Sequence, residues 1–451
     1  MTAITRLARK TLGLQRLGRL RDTLLGRNMR SVLKFDDGAF LKLFEVESVA
    51  AALARADVDA AADALIDHYR ARTTPEWPPF PVHMTNVARL SSDELSMQAE
   101  RLLEHRFELA AEPEVRFGDR IDWNYDPTSD PRRRWARELH RHRWVAVLGA
   151  SYQQTGDERC AEKFVQLISD WIQSNPPPAT KNEAHIVWTL MGVGMRCSVW
   201  PTAFSVFFDS PAFDRACKLL MLRSICDHAR FLYLFKTHDN HLLRESNGLA
   251  AIAASFPEFK AAESWQQRAL ERLAQELELQ INPDGSHIEM STGYQWLVAE
   301  EFEATLDIMQ RVGWCLPFGH LHESLQRIYT MLVQTCRPDG SWPQLSDGFM
   351  EGSPQLRERL AIAGAKLARE DFTFIATAGR DGLAPQSTST LLPFGGLAIM
   401  RSDWSLDALY LLMDCGPFGG VHGHEDKLSI EVCAYGQPFL IDPGTYTYNG
   451  N

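Results

Sequence analysis

Apolar side chains recur every three or four residues through most of the stretch 49–382, the spacing of positions that share one face of a helix. This pattern predicts helices over 51–65, 93–109, 135–152, 160–174, 187–207, 211–235, 242–256, 262–281, 293–312, 321–336 and 353–370. Punctuation falls between them. Thr155-Gly156-Asp157 separates two helices, Asn175-Pro176-Pro177-Pro178 stops another, and Pro257 stops a third. Asn282-Pro283-Asp284-Gly285-Ser286 and Arg337-Pro338-Asp339-Gly340-Ser341 each place a Pro-Asp-Gly turn behind a long helix. The echo at helix-pair spacing predicts an array of helical hairpins. Closed into a ring, such an array is an α/α toroid; left open, it is a solenoid.

Near Ser387 the period changes. Gly395-Gly396 leads into 397–401, an apolar run covers 408–413, residues 427–432 alternate, and Pro438-Phe439-Leu440-Ile441-Asp442 closes the row. Short strands split by Gly and Pro predict an antiparallel β domain. The expected division is a basic, helical N-terminal segment at 1–48, a helical catalytic domain at 49–385, and the start of a β domain at 386–451. The β segment ends at Tyr448-Asn449-Gly450-Asn451 without a terminal cap and is read as a sandwich that continues in the natural product.

Composition narrows the function. The 451 residues are 45% apolar and 23% charged, with a net charge of −11, which argues against a nucleic-acid partner. The basic stretch from Arg6 to Arg30 carries a leucine stripe, suited to packing on the main domain or touching an anionic membrane surface. Charge interrupts that stripe, so no clear signal peptide is read, and no run reaches the ~18 apolar residues of a spanning helix. Eight scattered cysteines without a C-x-x-C pair predict buried reduced thiols.

The densest polar cluster is Gly419-Gly420-Val421-His422-Gly423-His424-Glu425-Asp426-Lys427. If it is extended into the following strand, His422, His424, Asp426, Leu428, Ile430 and Val432 share the buried face, with the two imidazoles ~7 Å apart. Asp442, on the next predicted strand, then faces His424. The pair suits a metal, although two ligands are too few for a zinc site. A second cluster, Lys236-Thr237-His238-Asp239-Asn240-His241, precedes a helix for which Asp239 or Asn240 is the expected N-cap. A third, Asp284 to Trp296, holds His287, Glu289 and Tyr294 between two helices. A fourth, Asp122-Trp123-Asn124-Tyr125-Asp126-Pro127, carries aromatic and amide groups suited to sugar rings.

Taken in order, these segments resemble the heparinase II/III-like polysaccharide lyases, closest to the heparinase III side. The resemblance runs from about Gly118 onward. It also rests on Thr155-Gly156-Asp157-Glu158, the Phe256-Pro257-Glu258 helix end, and Asp442-Pro443-Gly444-Thr445-Tyr446. It implies an incomplete α/α toroid followed by an antiparallel β-sandwich. It implies cleavage of a uronic-acid-containing acidic polysaccharide by β-elimination. Carried onto this chain, it gives Asn240 the neutralisation of the uronate carboxylate, Tyr294 the acid/base role, and His422 the second catalytic role. His424 and Asp442 become part of a structural zinc site in the β domain, with a further ligand beyond Asn451. Trp123, His241, His287 and Glu289 are the implied substrate contacts. A lyase for an external polymer is expected in the periplasm or outside the cell, with a cytoplasmic location the alternative in the absence of a clear signal.

The residue types fit the chemistry. A donor on the uronate carboxylate stabilises the enolate-like dianion that forms as the C5 proton leaves. Neutral histidine is a competent base near neutrality, and tyrosine suits protonation of the departing oxygen. Two rival readings are a glycoside hydrolase using Glu245, Glu289, Glu300 or Asp347, and a non-catalytic acidic-glycan-binding protein on the same fold.

Overall fold

A computed structural model describes residues 29–109, 114–181, 185–315, 320–348 and 353–445. The arginine-rich leucine stripe expected to be helical lies almost wholly outside them. The described chain forms two compact units, dividing after Ala269. Among the described residues no helix is long and apolar enough to cross a membrane. All eight cysteines are unpaired, and Cys315 and Cys415 are exposed rather than buried as expected.

The first unit is built from helices. Glu158–Ser174, Leu190–Val206, Arg215–Leu234 and Asp239–Ser255 match the expected periodicity to within a few residues. Two expected helices are each broken in two. The first becomes Glu47–Ala54 and Val58–Ala71, because Ala56 turns left-handed and the Asp57 side chain caps a fresh start at Ala60 N. The second becomes Arg134–His140 and Val145–Thr155, separated by His142 at φ 57°. The Leu190–Val206 and Asp239–Ser255 helices run in the same direction, Gly194 against Gly248 and the Phe204 ring 5.5 Å from Phe256. A Cβ on Gly248 would lie 2.5 Å from the Gly194 carbonyl oxygen, so only glycine permits this crossing.

Beside that crossing lies a buried polar knot. Trp171 Nε1 donates to His140 Nδ1 (3.0 Å), Trp200 Nε1 to His142 Nδ1 (3.1 Å), and Arg196 Nε to His228 Nε2 (2.7 Å). Each donor can only donate, so each histidine is held as a neutral acceptor. Burial, then the Arg196 charge, pushes the His140 imidazole down to about 3 and those of His142 and His228 well below their ordinary value.

The second unit combines helices with a five-stranded antiparallel sheet in sequential order: β1 (Ser389–Leu392), β2 (Leu397–Arg401), β3 (Tyr410–Asp414), β4 (Ser429–Ala434) and β5 (Gln437–Leu440). Four strands were legible from the alternation; β1 was not. Both Pro-Asp-Gly turns close alike: Gly285 N donates to Asn282 O and Gly340 N to Arg337 O, each at 2.9 Å. Asp284 Oδ1 and Asp339 Oδ1 each accept from the serine two residues on.

One face of the sheet covers the end of the Leu321–Thr335 helix and satisfies the carbonyls that a helix C-terminus leaves unpaired. Arg401 Nη2 donates to the Gln334 and Cys336 carbonyls (2.8 and 2.9 Å), and the Tyr410 hydroxyl to Thr335 O (2.7 Å). Here the structure corrects the expected facing. Residues 422–428 precede the strand, Leu428 is 66% exposed and Ile430 39%, while Glu431 is 1% exposed. The ladder places Glu431 opposite buried Leu412 and Cys433 opposite buried Tyr410. Arg337 grips Glu431 there through both carboxylate oxygens (2.7 and 2.9 Å), so the buried charge is paired.

Candidate active site

Tyr294 stands in the first turn of the Thr292–Val312 helix. Ser291 caps that helix, its Oγ accepting from Tyr294 N (3.4 Å). The loop bearing His422 closes over this turn because Gly419 passes against the Glu289 backbone, where a Cβ would lie 2.1 Å from Glu289 O. The His422 imidazole then stacks on the Tyr294 ring, centroids 3.8 Å apart and planes 20° apart. Two groups that can carry protons thus share one spot, although 128 positions separate them in the chain.

Asp347 lies beneath both histidines. Its Oδ2 is 2.8 Å from His422 Nδ1, and its Oδ1 is 3.2 Å from His424 Nε2 and accepts from Thr445 Oγ1 (3.3 Å). Sequence reading weighed Asp347 only as a hydrolytic acid. Its place at this pair depends on loop closure, and no spacing signal announces it.

His424 is 39% exposed at its side chain, against 18% for His422, so the two histidines occupy different settings. Burial pushes the Asp442 carboxyl up and Asp426 adds to this, while nearby His424 pulls it back. Asp442 Oδ1 also accepts from Gly444 N (2.8 Å). Among the described residues no group of three or more His, Cys, Asp or Glu is arranged to hold a metal. His424 and Asp442 have the right donor chemistry for zinc but supply two ligands where a structural site takes four.

The remaining site residues sort by burial. His287 is 1% exposed, its Nε2 3.0 Å from Gln280 Oε1, its Nδ1 accepting from Glu289 N (3.4 Å) and its backbone N–H donating to Gln295 Oε1 (2.7 Å). Glu289 is 8% exposed. Both residues, expected as substrate contacts, are buried beneath the Tyr294 turn. The carboxylates weighed for hydrolysis are similarly engaged: Glu300 pairs with Arg359 (2.9 Å) and Glu245 accepts from Thr237 N (2.9 Å).

In the first unit, the Asp239–Ser255 helix begins three residues earlier than expected. His238 is its N-cap, without a side-chain bond, so Asp239 and Asn240 are first-turn residues rather than caps. Asp239 sits at φ 56°. Its carboxylate pairs with His238 and raises that imidazole's pKa. Glu245, farther along the helix, ties Thr237 back to it. Asn240 is buried and His241 exposed. Trp123 is 4% exposed; its indole N–H donates to Asp170 Oδ2 (2.7 Å) and its ring packs near His140 and His142. The indole expected to meet a sugar ring is thus buried and hydrogen-bonded within the first unit.

Comparison with known proteins agrees with this layout. Residues 40–366 match the model of the heparinase II/III N-terminus, and residues 384–451 that of the heparinase II/III-like C-terminal region. A heparin-sulfate lyase of Bacteroides stercoris is 27% identical over 415 residues, 87% of this chain and 61% of the relative. One from Pedobacter heparinus is 27% identical over 434 residues, 95% of this chain and 66% of the relative. The chain thus spans less than two thirds of the length of these relatives. The crystal structure of a heparan sulfate lyase from Pedobacter heparinus superposes with a TM-score of 0.75 at 27% identity, over 92% of this chain and 67% of that one. A heparinase III structure, at 22% identity, shares the fold with a TM-score of 0.81 over 92% of this chain and 68% of that one. A helical region followed by an antiparallel sheet, with both family segments matched in order, makes this chain a member of the heparinase II/III family.

Proposed function

We propose that this protein is a polysaccharide lyase that cleaves a uronic-acid-containing acidic polysaccharide by β-elimination and leaves unsaturated uronate ends. The observation that carries the reading is the Tyr294–His422 stack, held by Asp347. The relatives' names, heparin-sulfate lyase, support the same class of reaction and a heparin-like polymer as substrate. In this reading the His422 imidazole takes the C5 proton of the uronate. Its electron pair forms the C4–C5 double bond, the C4–O4 bond breaks, and the Tyr294 hydroxyl protonates the departing O4. Asn240 donates to the uronate carboxylate, where negative charge grows as the proton leaves.

The helical region is read as an incomplete α/α toroid and the sheet as one layer of a β-sandwich. The exposed apolar positions Leu391, Met400, Ile430 and Leu440 on one side of that sheet support the second part. A structural zinc at His424 and Asp442 belongs to the same reading, and no catalytic step runs through it. An external polymer implies export to the periplasm or beyond.

The test is to offer a panel of uronic-acid polymers and follow ultraviolet absorbance from unsaturated uronate. Rising absorbance with new chain ends is the expected result. New reducing ends without absorbance would replace the reading with hydrolysis, and retention on the polymers without cleavage would replace it with binding.

A further inference from the structure

We infer that Asp347 is the positioning residue of the Tyr294–His422 site: one carboxylate fixes which ring nitrogen of His422 is basic and ties that ring to the frame holding Tyr294. The inference rests on the lyase reading for its catalytic consequence, but the geometry stands by itself.

Asp347 is bound on every side. Its backbone N–H donates to His422 O (3.0 Å), so main chain as well as side chain holds the histidine loop. The residue before it, Ser346, is 2% exposed at φ 56°, and its Oγ accepts from His424 N (3.1 Å). Ser346 and Asp347 thus grip both ends of the His422-Gly423-His424 segment. On the other side, Ser291 Oγ donates to the Asp347 carbonyl (2.9 Å), and Ser291 is the N-cap that sets Tyr294. A chain of short contacts therefore runs from the Tyr294 backbone through Ser291 and Asp347 to the His422 ring.

The chemistry follows from donor and acceptor counts. An ionised carboxylate only accepts. The proton in its 2.8 Å contact with His422 must therefore sit on Nδ1, leaving Nε2 as the ring's basic nitrogen. The second oxygen faces the opposite nitrogen of the other ring, His424 Nε2, at 3.2 Å. An amide in place of the carboxylate can turn its NH₂ toward His422 Nδ1, moving the ring proton to Nε2 and removing the base. Asp–His pairs in acyl-transfer triads lose activity in this way.

The experiment uses the whole chain with ¹⁵N-labelled histidine, the His422 signals being identified by their loss in His422→Gln. Wild type should give the Nδ1–H form of His422, and Asp347→Asn the Nε2–H form. On a polymer that wild type cleaves, Asp347→Asn should lower kcat ~10²–10⁴-fold with KM little changed, since the loss lies in proton transfer and not in binding. Asp347→Glu, which restores a carboxylate, should keep the wild-type tautomer and recover part of kcat. An Nε2–H ring in wild type overturns the inference. So does a wild-type tautomer in a folded Asp347→Asn protein, or kcat within tenfold of wild type in that variant. If Asp347→Asn fails to fold, wild type and Asp347→Glu decide through the same tautomer reading. If wild type cleaves no polymer, the lyase reading fails while the ring signals still decide the positioning role.

Discussion

Mild acid should destabilise this protein more steeply than its surface charges alone would cause. His140, His142 and His228 are each 1% exposed or less, each accepts from a group that can only donate, and each is held neutral far below its ordinary pKa. In the unfolded chain they protonate near pH ~6.5. A depressed folded pKa means that the unfolded state binds the extra protons, so stability is complete above about pH 6.5 and falls as pH drops below it. Between about pH 7.5 and about pH 5.5 each histidine costs about 1.4 kcal/mol, about 4 kcal/mol for the three. Asp227 opposes this, because burial pushes its carboxyl up to about 6. It then gains a proton in the folded state first, returning about 0.8 kcal/mol over the same interval. Glu303, also raised by burial, acts in the same direction as Asp227. The three histidines and Asp227 together lose about 3 kcal/mol, a large share of the ~5–15 kcal/mol of a typical domain; His185, lowered by burial, adds to the loss, and His238, Asp414 and Asp442, all raised, oppose it. Urea unfolding at a series of pH values should show the midpoint falling across this window at constant m-value, with net proton uptake on unfolding. A midpoint that is flat or rises on acidification would refute the buried-neutral assignment of the three histidines.

Tyr294→Phe keeps the ring stacked on His422 and removes the hydroxyl; turnover should fall ~10²–10⁴-fold with the melting temperature nearly unchanged, and a folded variant keeping more than about a tenth of activity refutes the proton-transfer role. Glu431→Gln leaves the 10% exposed Arg337 guanidinium without its carboxylate, and should cost ~3–5 kcal/mol in urea unfolding; a double replacement by well-packed apolar residues should recover much of it. Gly248→Ala places a methyl 2.5 Å from the Gly194 carbonyl oxygen and should destabilise by ~1–3 kcal/mol or more, whereas unchanged stability would mean that the crossing relaxes freely.

Helices were the legible part of the fold because burial on one face writes a period into the chain. The long Thr292–Val312 and Leu321–Thr335 helices stand within a residue of their expected bounds. Errors gathered where a polar side chain or a left-handed residue competes with that period. Asp57 starts a new helix inside an apolar run, and His142 interrupts another while its ring serves the buried knot. Four of the five strands of the sheet were legible, but their facing was not. Alternation marks which side chains share a face, yet polarity alone cannot tell which face is inside when the inner one carries Glu431, whose charge is met by Arg337.

The site divides along the same physical line. Tyr294 and the two histidines stand in compact motifs, so residue type and local order point to them. Asp347 lies in a loop 75 residues before His422 and has no motif of its own; its role exists only after Gly419 lets the histidine loop close against the Glu289 backbone. Trp123, His287 and Glu289 show the converse. Their residue types suit sugar recognition, yet all three are buried, with Asp170 bonded to the indole and Gln280 and the Glu289 N–H bonded to the imidazole, which residue type alone does not reveal. A motif therefore locates groups able to move protons, whereas the contacts around those groups decide which nitrogen holds the proton. In this protein that second decision falls to a carboxylate whose two oxygens face different rings, which is why Asp347→Asn separates orientation from mere presence of the catalytic groups.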